Sequence, residues 1–104
     1  MDVKELAEEL GLEKNEYLEL IELFIKKGIT DLDELQSAVG AGDAENAASV
    51  AHSIKGAAGN LRFMALYKEA KKIEAQALLG SLDGAVESIQ TLRKNLEEVT
   101  ALIR

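Results

Sequence analysis

The sequence predicts an all-α fold, an antiparallel four-helix bundle with a short extra helix at its N-terminus. Three observations predict it. The chain of 104 residues contains no proline, the residue that most disrupts a helix interior. Ala, Leu, Glu and Lys, all strong helix formers, dominate, and only four residues are aromatic. Apolar side chains recur at three- and four-residue spacing through most of the chain, the period of an amphipathic helix. The length suits one modest core, so residues 1–104 are expected to form a single domain.

The first helix is expected over residues 3–10, with Asp2 as N-cap and Gly11 as its stop, lying as a lid on the bundle. The second starts near Lys14. Its stripe runs Tyr17, Ile21, Phe24, Leu32, Leu35 and Val39, with Gly28 in the slot between Phe24 and Leu32. The spacing survives across Gly28, Ile29 and Thr30, which predicts one long helix to about Val39; a break with Thr30 as a new N-cap is the alternative. Gly40 and Gly42 end it. The third helix takes Asp43 as N-cap and buries Ala47, Val50, Ala51, Ile54, Ala58 and Leu61. The fourth runs from Met64 to Leu79 with Leu66, Ala70, Ile73 and Ala77 inward, and Gly80 stops it. The fifth is expected after Ser81, carrying Leu82, Ala85, Ile89, Leu92, Leu96, Val99 and Ile103 on one face.

Composition narrows the function. There is no cysteine, hence no disulfide framework or thiolate metal site. A single histidine argues against zinc or non-haem iron, which usually recruit several imidazoles. No bound metal or cofactor is expected. No stretch reads as a signal peptide or a transmembrane run, so a soluble, cytoplasmic protein without membrane attachment is expected. The net charge of −7 disfavours nucleic acid. The charge is uneven. Thirteen acids and four bases fall in residues 1–54, whereas residues 55–72 hold Lys55, Arg62, Lys68, Lys71 and Lys72 against Glu69 alone. Either a small anionic group belongs near that basic stretch, or its lysines merely solvate a helix face.

The third helix carries the anomaly. At about 100° per residue, its sole histidine, His52, lies roughly 140° from the centre of the apolar stripe and points outward. Ala48, Ser49, Gly56 and Gly59 surround it, and every one is small. Lys55, at i+3, lies on its core-ward flank, within reach of anything attached to the ring. Two interior glycines cost this helix roughly 2 kcal/mol relative to alanine. Bare backbone beside an exposed imidazole suggests a surface that something approaches closely, a docking site centred on His52. The plainer readings are an idle surface histidine and glycines that ease packing.

The run Ala51-His52-Ser53-Ile54-Lys55-Gly56-Ala57-Ala58-Gly59 resembles the signature of histidine-containing phosphotransfer (HPt) domains. It is also similar to the phosphorylated N-terminal domain of chemotaxis histidine kinases, which shares that fold. Ala41 to Asp43, Leu66 and the Ile73-Glu74 pair fall where the family pattern puts them. The resemblance implies that His52 carries a phosphoryl group on Nε2, exchanged with an aspartate of a response-regulator receiver domain. Lys55 would contact the phosphoryl oxygens, and Gly56 and Gly59 would clear space for the receiver's loops. Ala48 and Ser49 complete the implied docking collar. Partners would be a receiver domain and a sensor or hybrid histidine kinase, with the chain a monomer. Phosphoryl transfer needs positioning and charge neutralisation more than side-chain chemistry. With no ATP-binding loop in the sequence, the chain reads as a carrier rather than an enzyme.

Glu74 falls by resemblance on the fourth helix facing His52. A carboxylate there would accept the Nδ1 proton and leave Nε2 as nucleophile; alternatively Glu74 pairs with Lys71 or Lys72. The sequence departs from the family at Arg62, where a glycine is usual. Asn60 is then a candidate for the left-handed turn residue. Arg62 either contacts a phosphate or receiver or is simply solvated. Three functions remain open: a phosphorelay carrier, the phospho-accepting domain of a chemotaxis-like kinase, and a helical adaptor without phosphate chemistry.

Overall fold

The computed structural model describes residues 2–104. Five helices follow in order, α1 (Val3–Glu9), α2 (Lys14–Gly40), α3 (Ala44–Asn60), α4 (Met64–Leu78) and α5 (Ala85–Ile103). Helices α2 to α5 form an antiparallel bundle in which α3 packs between α2 and α4, and α5 closes the ring against α4 and α2. Helix α1 packs on α2. At about 1.5 Å per residue, the 27 residues of α2 span roughly 40 Å. That equals the 41 Å long axis, so one helix runs the length of the molecule.

Local chemistry sets the helix ends. The Asp2 carboxylate accepts from the Lys4 amide at 2.9 Å, and that of Asp43 accepts from the Asn46 amide at 3.1 Å, each satisfying a donor that the first turn leaves free. The Glu16 carboxylate accepts the Glu13 amide at 2.9 Å, half of a capping box at the start of α2. Helix α2 continues unbroken through Thr30, as the stripe predicts. Gly28 is buried there, and a Cβ on it would stand 3.3 Å from Leu96 Cδ2. The glycine lets α5 approach α2 closely and is not a helix stop.

The core joins Tyr17, Ile21, Phe24, Leu32 and Leu35 of α2 to Ile54 of α3, Leu66 and Ile73 of α4, and Leu92, Leu96 and Val99 of α5. Phe63, just before α4, is 2 % exposed and lies 5.3 Å from Phe24 and 6.5 Å from Tyr17, ring centre to ring centre. The Tyr17 hydroxyl donates to the Leu61 carbonyl at 2.6 Å, tying the start of α2 to the α3–α4 turn. Burial pushes the Tyr17 hydroxyl pKa up, so it remains a donor at neutral pH.

Two expectations are corrected. Helix α5 starts at Ala85 rather than after Ser81. Gly84 takes φ +75° immediately before it, which breaks the helical path although Leu82 fits the apolar spacing. In the α3–α4 turn Asn60 stays helical, and Arg62 itself adopts the left-handed conformation, φ +69°. Arg62 thus occupies the conformation that the family's glycine suits. A Cβ in that region costs about 1–2 kcal/mol, partly offset because glycine loses about 0.4–1 kcal/mol more unfolded-chain entropy. Arg62→Gly is therefore expected to stabilise the protein by about 0.5–1 kcal/mol, measured by urea denaturation.

Candidate functional site

His52 sits midway along α3 with its side chain 68 % exposed, as the helical wheel predicts. Its Nδ1 lies 2.5 Å from Glu74 Oε2 on α4. The other carboxylate oxygen, Oε1, accepts from the Lys55 ammonium at 2.6 Å. One carboxylate, 13 % exposed, thus links the histidine and the lysine across the α3–α4 seam. Glu74 does not reach Lys71 or Lys72; the Lys71 ammonium lies instead over the Tyr67 ring, 6.0 Å from its centre.

The hydrogen bond from Lys55, followed by that from His52, holds the Glu74 pKa below its ordinary 4.5 against the opposing effect of burial. Glu74 is therefore a carboxylate at neutral pH and only accepts. In the neutral imidazole the Nδ1 must then carry the proton, which leaves the Nε2 lone pair free. A depressed carboxyl pKa contributes stability that is fully present above 4.5 and is lost as pH falls through the lower folded-state value. The stability difference between wild type and Glu74→Gln, followed by urea denaturation, is expected to be at its full value at neutral pH and to shrink only as the pH falls below 4.5.

The collar of small residues divides into two sides. Ser49 and Gly56 are exposed, and a Cβ at Gly56 would meet nothing within 4 Å. Ala48 is only 5 % exposed, so it belongs to the core rather than to an open docking surface. A Cβ on Gly59 would come within 3.1 Å of Tyr67 Cδ2, so this glycine makes room for a tyrosine of its own chain. Small side chains along the α4-facing flank of α3 let α4 approach and cover that flank. Of the expected docking collar, Ala48 and Gly59 are thus taken up by packing, and Ser49 and Gly56 remain exposed. Lys55 lies on the covered side, engaged by Glu74, while Arg62 is exposed in the α3–α4 turn.

On the α2 side the surface is open, and it carries groups that the sequence reading missed. Leu20 and Leu23 are 40 % and 62 % exposed and border a groove floored by Phe24, Ile54 and Leu61. Lys27 on α2 donates to Asp31 at 2.7 Å and to Ser53, the neighbour of His52, at 3.1 Å. Two leucines off the buried stripe of α2 were the available signal for the groove.

An exposed imidazole whose Nδ1 meets a carboxylate on the adjoining helix has its Nε2 free to react. The Hpt domain family model matches residues 19–102, from the first turns of α2 to the last turn of α5. The chain belongs to the Hpt domain family. No curated protein and no solved structure matches it. Hpt domains are phosphocarrier modules that interact with receiver domains and histidine kinases. This member is accordingly a phosphotransfer carrier of phosphorelay signalling. Among the described residues no helix is long and apolar enough to cross a membrane.

Proposed function

We propose that His52 is the carrier residue, taking a phosphoryl group on Nε2 from the aspartyl phosphate of one receiver domain and passing it to the aspartate of another. The supporting observation is the hydrogen bond from Nδ1 to Glu74, which presents Nε2 to solvent as the nucleophile. In the forward step the Nε2–P bond forms as the P–O bond to the aspartate breaks, and the aspartate leaves as a carboxylate. Glu74 stabilises the ring as positive charge develops on it during attack. The partner approaches over the exposed Ser49 and Gly56, with Leu20 and Leu23 beside the contact. The chain acts as one domain, as a monomer and in the cytoplasm.

Glu74 also supports a second reading, in which an ATP-binding kinase domain phosphorylates His52 directly. The test is to incubate the chain with a phosphorylated receiver domain, and separately with a histidine kinase and ATP, and to locate the acid-labile phosphate by mass spectrometry. Label on His52 from the receiver supports the relay. Label from the kinase alone favours the second reading, and label elsewhere refutes the assignment of His52.

A further inference from the structure

Resemblance to the family assigns the phosphoryl oxygens to Lys55, but the geometry directs attention to the other flank of α3. The two ring nitrogens of an imidazole point in nearly opposite directions. With Nδ1 turned to Glu74 on α4, Nε2 faces away from that carboxylate and into solvent. Lys55 stands on the α4 side, 22 % exposed, with its ammonium 2.6 Å from the same carboxylate. That ammonium is engaged with the carboxylate that holds Nδ1, at the end of the ring opposite Nε2. On the α2 side stands Lys27, 60 % exposed, which donates to Asp31 of its own helix at 2.7 Å and across to the Ser53 hydroxyl of α3 at 3.1 Å. Ser53 follows His52 directly, so its Cα is only about 3.8 Å from that of the histidine.

We infer that Lys27, rather than Lys55, is the cation that meets the phosphoryl group on His52, approaching from α2 while Lys55 serves to hold Glu74 in place. The inference rests on the proposed role of His52. Lys27 is a further contact for the transferred group, and Asp31 and Ser53 position it. The charged groups around the phosphoryl are then Lys27 and Asp31 from α2, Lys55 from α3 and Glu74 from α4. On phosphorylation the dianion competes with Asp31 for the Lys27 ammonium. A cation beside a phosphoryl group favours its doubly charged form and lowers the pH at which it loses its second proton.

The test uses the whole chain and potassium phosphoramidate, a small donor that needs no protein partner. The phosphoryl group moves from the nitrogen of the donor to Nε2, and ammonia leaves. The phosphorus-31 chemical shift of phosphohistidine is then titrated with pH in wild type, Lys27→Met, Lys27→Arg and Lys55→Met. An exposed charge a few ångströms away shifts such a midpoint by about 0.7 pH unit, the equivalent of about 1 kcal/mol. Lys27→Met is expected to raise the midpoint by that amount, Lys27→Arg to restore it, and Lys55→Met to move it less. A merely structural tie between α2 and α3 would not move the midpoint. An unchanged midpoint in Lys27→Met, or a shift confined to Lys55→Met, overturns the inference. Absence of any phosphohistidine signal in wild type would instead refute the proposed role of His52, and this inference with it.

Discussion

Glutamine in place of His52 is expected to reduce phosphoryl labelling from a phosphorylated receiver domain to background while leaving the fold intact. The chain has no other histidine, so no second imidazole can take over the group. The side chain is 68 % exposed, and surface substitutions usually move stability by less than ~0.5 kcal/mol. The glutamine amide can still donate to Glu74, which keeps Lys55 as its other partner. Loss of label therefore reports loss of the nucleophile and not collapse of the α3–α4 seam. The measurement pairs transfer of radioactive phosphate with a urea denaturation curve. Persistent label would place the carrier at another residue. A fall in stability of several kcal/mol would show that the ring supports the packing.

Much of this was legible in the sequence because helical period is a one-dimensional signal. His52 is outward for the same reason that Ile54, two residues on, is inward: 200° of rotation separates them at about 100° per residue. The contact from His52 to Glu74 was open to the family resemblance, because the motif places both residues. What the sequence could not show is how far a neighbouring helix covers a face. Ala48 and Gly59 look like accessible small residues on a wheel. One is packed into the core and the other against Tyr67, because α4 lies closer to α3 than an average side chain would allow. Leu82 continues the spacing of α5 but stands before the helix, since the turn at Gly84 is decided by backbone conformation and not by hydropathy. Lys27 lies 26 residues from Ser53, and only the folded pairing of α2 with α3 brings the two together.

The aromatic cluster under the α3–α4 turn yields the second large effect. Phe63→Ala is expected to cost about 3–5 kcal/mol, the range for truncating a buried phenylalanine. Phe63 is 2 % exposed and packs on Phe24 and Tyr17, while the backbone beside it accepts the Tyr17 hydroxyl at Leu61. The turn is already strained by Arg62 at φ +69°, so it has little freedom to collapse into the space left behind. A domain of this size holds about 5–15 kcal/mol in total, so the loss is a large part of the whole. At about 4–8 °C per kcal/mol for a small domain, the melting temperature should drop by at least about 12 °C. The substitution leaves His52, Glu74 and Lys27 untouched, so phosphotransfer per folded molecule should persist below the new transition and fall with the folded fraction through it. His52→Gln gives the reverse pattern, full stability without transfer. A Phe63→Ala protein that stayed folded yet transferred poorly would mean that the turn also sets the geometry between α3 and α4 on which the His52–Glu74 hydrogen bond depends.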